Sequence, residues 1–523
     1  MKNQPDNPIS RRDLLRIGGI GLLATGCASA LHAQTATPPA LAPRYRGMTH
    51  VIIRPDNPSV VRVGSLCTHC GLCVDYCNRV ATVQGHRSTE GRMSCTHCGQ
   101  CTIQCEYRSI TERSEIATFQ SAVDDTDKIV IVMTAPAVRV AMGEMFAMPS
   151  GSYVEGKTVA ALKKLGCDYV VDVTFGADLA IMEEASELLC RLETNSDSPY
   201  PMFTSCCPAW VRFAELFMPP LVPHISPVKS PIMIQGAAIK TYFAQKHGLN
   251  PKKIFTVAIT PCTAKKAEIK RPDWNTLADQ PGFEGLAEVD LALTARELGA
   301  VLHEKNIDFA NLSNASYDSL MGKGSGSGLG FGGTGGVMAS ALHTAYYFKN
   351  GTNPPLQKDI VFRGAERTVN WVNLMPLAGR IPGVRTDTIN LGDRTLRIAV
   401  VETTGSLRGL LDVIEHDGER FDFVEVMACR HGCLGGGGQP YPLQLAMLQE
   451  LAYDRRDALQ SGVDQSVVRL SHENSEVATA YREFFGEPFS DKAKALLHSR
   501  VRCCPGTRIY GSSGIWVPCS DIL

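Results

Sequence analysis

The chain lacks a strong charge of either sign. Lys and Arg number 52 against 53 Asp and Glu, a net charge of −1, so no overall field draws it to nucleic acid or to an anionic membrane. It lacks long apolar stretches too. No segment reaches about 18 uninterrupted apolar residues, which excludes an ordinary membrane-spanning helix in the mature protein. There is no Cys-x-x-Cys-His, so the chain attaches no c-type haem of its own. What it has in excess is cysteine, 19 in 523 residues. The spacing of those cysteines points to metals rather than disulfides. Length suggests about three domains, and 44% hydrophobic with 20% charged residues suits a globular protein with a large core.

Residues 1–33 read as a targeting segment. Ser10-Arg11-Arg12-Asp13-Leu14-Leu15 is a twin-arginine pattern, followed by a short apolar run from Ile17 to Ala24. Cleavage is expected after Ala33, with Ala30 as the rival site. Ala24-Thr25-Gly26-Cys27 is a poor lipobox without the usual leucine, so a lipid anchor on Cys27 is disfavoured. Such a signal is an address read by the twin-arginine translocase, which exports folded proteins, and it implies a periplasmic destination. Residues 34–58, rich in Pro, Ala and Thr, read as a linker.

Residues 59–115 repeat one plan. Cys67-x2-Cys70-x2-Cys73-x3-Cys77 is followed by Cys95-x2-Cys98-x2-Cys101-x3-Cys105. This is the two-cluster bacterial ferredoxin pattern, in which the fourth cysteine of each run crosses to the other cluster. It predicts two [4Fe–4S] clusters, one on Cys67, Cys70, Cys73 and Cys105, the other on Cys77, Cys95, Cys98 and Cys101. The proline that often follows the fourth cysteine is replaced by Asn78 and Glu106. His69 and His97, between ligands, read as solvent-facing loop residues.

From about residue 125 the texture changes. Ile129–Met133, Val170–Val173, Ile254–Ile259, Val289–Leu293 and Ile398–Val401 read as buried strands of parallel type. Ala177–Leu192 and Thr334–Phe348 read as helices between them. The expected class is α/β with mostly parallel sheets, preceded by a small α+β module. Residues 323–336 form a glycine-rich loop, residues 470–500 one or two amphipathic helices, and residues 501–523 a tail with no assigned role, carrying Cys503, Cys504 and Cys519.

Three more cysteine clusters lie in this part: Thr204-Ser205-Cys206-Cys207-Pro208, Pro261-Cys262-Thr263-Ala264-Lys265-Lys266, and Glu425-Val426-Met427-Ala428-Cys429-Arg430-His431-Gly432-Cys433. Cys207, Cys262, Cys429 and Cys433 could supply four thiolates to one more cubane. Glycines around Cys433 would let backbone approach a bulky inorganic group. Lys265 offers a cation for an anionic ligand. Glu184, Glu187 and Arg191 share one helix face.

These segments, in this order, resemble the three signature motifs of [FeFe]-hydrogenases. Ala135-Pro136-Ala137-Val138-Arg139, Phe175-Gly176-Ala177-Asp178, Lys229-Ser230-Pro231, the run Phe331–Met338, Ser471-His472-Glu473-Asn474 and Leu497-His498 are similar to the family as well. The resemblance implies a two-lobed domain over residues 125–465 and a small-subunit-like segment over residues 466–500. It implies an H-cluster: a cubane on Cys207, Cys262, Cys429 and Cys433, with Cys433 bridging to a diiron subsite carrying CO, cyanide and a dithiolate. Lys265 would hydrogen-bond one cyanide, Ala135 and Pro136 would lie beside the other, and Met427 would pack against the irons. A proton relay would run from Cys206 through Glu184, Ser226 and Glu187 to Arg191. The implied activity is interconversion of H2 with protons and electrons. The implied partners are maturation proteins and a multihaem c-type cytochrome, with no nucleic acid. Thr260, Arg430-His431, Gly435 and Ile232 depart from the common family residues and alter packing and charge near the cluster.

If the N-terminus is a twin-arginine address, replacing Arg11 and Arg12 with lysine strands matured, active protein in the cytoplasm. Cell fractionation checks this; unchanged periplasmic activity would refute it.

Overall fold

Runs that are apolar on both faces are stable only inside a sheet covered on two sides. The computed structural model puts the runs read above in that setting. In chain order the strands are β1 (Val60–Arg62), β2 (Ile110–Glu112), β3 (Ile129–Thr134), β4 (Tyr169–Asp172), β5 (Met202–Phe203), β6 (Ile254–Thr260), β7 (Leu291–Thr294), β8 (Met375–Pro376), β9 (Val384–Leu391), β10 (Arg394–Glu402), β11 (Phe423–Met427), β12 (Arg508–Tyr510) and β13 (Trp516–Pro518), the last two forming an antiparallel pair. One sheet has the order β4-β3-β6-β7 and is wholly parallel, with Thr134 opposite Asp172 and Ile259. The other has the order β5-β11-β10-β9-β8. Its β5, β11 and β10 run parallel, and β9 and β8 add an antiparallel edge. The class is therefore α/β with mostly parallel sheets. The antiparallel edge escaped the sequence reading because β9 is buried only at its two ends, Val384 and Leu391, and only the second half of β10 is continuously buried.

The structure describes residues 48–90, 94–193, 200–354, 375–376, 381–442, 444–500, 508–510 and 516–518. These lie in one compact unit, Leu41–Leu523. Arg11, Arg12, Cys27, Ala30, Ala33, Cys503, Cys504 and Cys519 fall outside the described residues. Among the described residues no helix is long and apolar enough to cross a membrane.

The helix expected over 177–192 spans Val173–Glu193, beginning directly after β4. Its early start has a local cause: Asp172 Oδ1 accepts from Thr174 N at 3.0 Å, satisfying an otherwise orphaned first-turn amide. The helix expected over 334–348 spans Gly336–Asn350. The glycine-rich stretch before it contains a short helix, Gly326–Gly330, and does not stay a plain loop.

In the N-terminal module, β1 and β2 pair antiparallel, and two helices, Leu72–Arg79 and Gln100–Ile103, each follow a left-handed glycine, Gly71 and Gly99. The last part of the expected linker packs into this module. Val51 is buried beside Cys73 and Cys105, and Ile52 N donates to Gln84 Oε1 at 2.9 Å.

Residues 470–500 are two short helices, Ser475–Ala480 and Asp491–Leu497, joined through a wide turn at Tyr481–Phe485. Three buried charged groups of the preceding domain hold them. Asp178 accepts from Ser325 N (2.9 Å) and from Ser325 Oγ (2.5 Å), Ser471 Oγ (2.8 Å) and Asn474 Nδ2 (2.8 Å). Glu183 accepts from Tyr481 OH at 2.6 Å and pairs with His498 Nε2 at 2.8 Å. Lys229 Nζ reaches Glu288 Oε1 (2.6 Å), Thr276 Oγ1 (2.7 Å) and Leu496 O (2.7 Å). Asp178→Ala orphans several buried donors at once. It should cost about 3 kcal/mol in urea unfolding and expose residues 470–500 to limited proteolysis. Wild-type proteolysis kinetics would show that these contacts do not hold the segment.

Candidate metal centre

The motif cysteines leave the C-terminal ends of parallel strands, where α/β sheets place their ligand sites. β5 runs into Thr204–Cys207, β6 into Pro261-Cys262, and β11 into Ala428-Cys429 followed by the turn Gly432–Gly435 that carries Cys433. β3 runs into Ala135-Pro136, which opens a tight turn. Both sheets thus aim loops at one place.

There Cys207, Cys262, Cys429 and Cys433 come together. Ala428 N donates to Cys207 Sγ at 3.5 Å, and Ala209, Ala264 and Ala428 pack around Cys207 and Cys262. Burial pushes all four thiols up: Cys433 rises to about 12 from burial and then from Cys207, Cys262 rises from burial and then from Cys207 and Cys433, and Cys429 rises well above the usual range from burial and then from Cys98, Cys262, Cys207 and Cys433, whereas at Cys207 backbone amides and Lys265 offset part of the rise. Thiols this crowded and dry ionise only against a strong local cation. An iron–sulfur cubane supplies that charge and takes four thiolates, so the residues fit the group. Among the described residues no two cysteines form a disulfide.

The glycines after Cys433 serve a purpose the sequence reading did not foresee. A Cβ on Gly437 would lie 2.4 Å from Cys98 O, and one on Gly436 would lie 2.3 Å from Pro261 O. They admit the backbone of the N-terminal module and of the second motif.

Lys265 is buried, with Nζ at 2.8 Å from Glu268 Oε2 and 3.2 Å from Cys206 O. Burial, the largest influence, disfavours its charge, but the Glu268 carboxylate together with Cys262 and Cys206 outweighs it and raises the pKa. Glu268, missed in the sequence, sits three residues on along the same turn, and that spacing was the available signal. Its Oε1 is buried without a hydrogen-bond partner among the described residues. Ala135, Pro136 and Met427 are buried. The turn that starts at Pro136 is tied to Cys433 by Gln439 Nε2, which donates to Ala137 O (3.0 Å) and Cys433 O (3.4 Å).

The helix Val173–Glu193 presents Glu184, Glu187 and Arg191, all buried. Ser226 Oγ donates to Glu187 Oε2 at 2.5 Å, and Arg191 Nη2 to Glu187 Oε1 at 2.6 Å. Ser205 N donates to Glu184 Oε1 at 3.4 Å, while Glu184 Oε2 has no hydrogen-bond partner among the described residues. Burial, then the charge of Glu187, pushes Glu184 up to about 8. Burial, then Glu184 and Glu425, pushes Cys206 well above the usual thiol range. Glu425 is a second missed carboxylate. Fully buried and pushed up to about 7 by burial, it accepts from Gly335 N and Met338 N and so caps the helix Gly336–Asn350.

In the N-terminal module Cys77, Cys95, Cys98 and Cys101 line one cavity. Cys73 feels Cys105 and Cys70 as neighbours. Cys67 stands with His50 and His69 so that donor atoms of the three lie within 4.8 Å. His69 is exposed, as expected, but His97 is not solvent-facing. Thr263 Oγ1 donates to His97 O at 2.7 Å, docking this half of the repeat on the second motif, and burial depresses the His97 imidazole to about 4.

The family model of the iron only hydrogenase large subunit, C-terminal domain, matches residues 128–437, and that of the iron hydrogenase small subunit matches residues 449–500. The chain is 37% identical over 396 residues to iron hydrogenase 1 of Clostridium pasteurianum, covering 75% of this chain and 64% of that protein. It is 41% identical over 310 residues to the periplasmic [Fe] hydrogenase large subunit of Nitratidesulfovibrio vulgaris, covering 59% of this chain and 68% of that protein. It therefore spans just under two thirds of the first relative's length. A variant of the [FeFe]-hydrogenase HydA1 from Chlamydomonas reinhardtii superposes with a TM-score of 0.63 at 35% identity, over 75% of this chain and 99% of that one. With a hydrogenase model matching most of its length and a four-cysteine centre at the ends of its two sheets, the chain belongs to the iron-only, [FeFe]-hydrogenase family.

Proposed function

We propose that the protein interconverts H2 with protons and electrons at an H-cluster, and passes the electrons through two [4Fe–4S] clusters to an external carrier. The observation that carries this reading is the convergence of Cys207, Cys262, Cys429 and Cys433 at strand ends, with Lys265 and Cys206 beside them. When bound, the H-cluster supplies the redox chemistry of H2. The four cysteines would hold its cubane, and Cys433 would also serve the diiron subsite. Lys265, kept charged by Glu268, would present a cation to a cyanide ligand, while Ala135, Pro136 and Met427 would wall the subsite. Cys67, Cys70, Cys73 and Cys105 hold one further cubane, and Cys77, Cys95, Cys98 and Cys101 the other.

Cys206 delivers and accepts the proton nearest the subsite, and Glu184, Ser226 and Glu187 carry it towards Arg191. A carboxyl at about 8 suits this work, since it gains and loses a proton near neutral pH. Around the first cysteine set Val63, Leu66, Leu72 and Tyr107 are exposed, an apolar collar that favours this end as the electron exit. The carrier we assign is a multihaem c-type cytochrome. Maturation proteins load the clusters first, and the twin-arginine translocase then moves the folded enzyme to the periplasm.

Two neighbouring thiols separate the roles. Cys207→Ala removes a cubane ligand, so the infrared bands of metal-bound CO and cyanide should vanish or weaken strongly. Cys206→Ala should keep those bands while turnover falls at least about 10²-fold, the contribution of a positioned acid–base group. The reverse pattern would exchange the two roles, and intact turnover in Cys206→Ala would remove this proton route.

Glu184 also leaves a signature in stability. Its folded pKa of about 8 exceeds the ordinary 4.5, so the folded state binds a proton that the unfolded chain has lost. Stability from this group is full below about pH 4.5 and is lost as pH rises through about 8. Glu184→Gln cannot ionise. Relative to wild type its urea midpoint should gain steadily between those limits and level off above them; a pH-independent difference would show that Glu184 is ionised throughout.

A further inference from the structure

The second cysteine set and the four-cysteine centre meet where the N-terminal module docks on the third motif. One side chain spans that junction. Gln100, 5% exposed, lies between Cys98 and Cys101 in sequence. Its Nε2 donates to Gly435 O at 2.7 Å and to Cys429 Sγ at 3.1 Å. A carbonyl oxygen only accepts, so the Gly435 contact fixes which end of the carboxamide is nitrogen, and with it the N–H that meets sulfur. Thr102 contributes docking of another kind: its Oγ1 donates to Gly437 O at 3.0 Å, a contact without sulfur.

A second polar group faces the same gap. Tyr76 lines the cavity shared by Cys77, Cys95, Cys98 and Cys101, and its hydroxyl is buried without a hydrogen-bond partner among the described residues. Gln100 lines that cavity as well, so the hydroxyl and the carboxamide share it. A buried hydroxyl with nothing to donate to is destabilising. Sulfur held in that cavity is the acceptor its position calls for.

We propose that Gln100 and Tyr76 donate hydrogen bonds to cluster sulfur on the two sides of this junction and thereby set the relative reduction potentials of the second cubane and the H-cluster cubane. The inference rests on the hydrogenase reading above. Donation to sulfur stabilises the reduced, more negative state and raises a cubane's potential. The step between the two centres is one electron leaving one cubane and entering the other. No bond forms or breaks and no proton moves, so the potential difference decides its direction. Gln100 and Tyr76 are positioning residues for that step.

The test is a potentiometric titration of matured full-length protein, followed by electron paramagnetic resonance. Gln100→Leu should lower the H-cluster cubane's potential, and Tyr76→Phe that of the second cubane. A tenfold smaller constant for reduction corresponds to about 59 mV for one electron. The Cys67 set should keep its potential in both variants, and Thr102→Val should move none of the three. Tyr76→Phe keeps the ring and loses one oxygen, so the test survives a failure of Gln100→Leu to assemble. Unshifted potentials with intact cubane signals would overturn the inference. So would an equal shift in Thr102→Val, which would trace the effect to docking. Wild-type protein without cubane signals would overturn the hydrogenase reading, and the inference with it.

Discussion

Four sulfur atoms crowded at the ends of two sheets are the constraint around which the rest is arranged. Burial pushes each thiol up, and neighbouring cysteines push Cys262, Cys429 and Cys433 further, so the set is a good receptacle for a polynuclear cation. Strand order brings it about. Parallel strands send their C-terminal ends the same way, and Phe203, Thr260 and Met427 each end a strand within four residues of a motif cysteine. Loops that begin on hydrogen-bonded ladders are held at their roots, which is how residues distant in sequence arrive with defined geometry.

The third motif would be unruly by itself, since a run of glycines has little to fix it. Buried arginines do that work from outside. Arg296 donates to Gly437 O (2.7 Å) and Gln439 O (2.6 Å) while paired with Glu112, and Arg455 donates to Leu434 O (2.8 Å) while paired with Glu144. A buried ion pair adds little net stability but punishes misplacement of either partner. Here the partners come from the N-terminal module and from separate parts of the catalytic domain, so the loop's shape depends on all of them docking correctly.

Sequence made the cysteines legible because ligand spacing is a local code, and it made β3, β4 and β6 legible because burial on both faces leaves unbroken apolar runs. Other residues were silent. Gln100 meets its sulfur across 329 residues, which no spacing rule anticipates. Glu425 looks like part of a strand motif, and its capping role depends on a helix that begins ninety or so residues earlier in the chain. His69 and His97 occupy matching places in the repeat and both adopt left-handed backbone, with φ 58° and 64°. Their surroundings differ because the backbone of His97 docks on the second motif through Thr263, while His69 faces Thr49 of the module's own lead-in, and docking is a tertiary fact that a repeat cannot encode.

The hold of Asp178, Glu183 and Lys229 on residues 470–500 has a kinetic side. The segment and its receptor share one chain, so their meeting is unimolecular. A tether this short keeps the local concentration in the millimolar range, whatever the dilution of the protein. A transient break at one anchor therefore does not lose the segment. Recapture is quick and independent of expression level, and no stoichiometric mismatch between separately made pieces can arise.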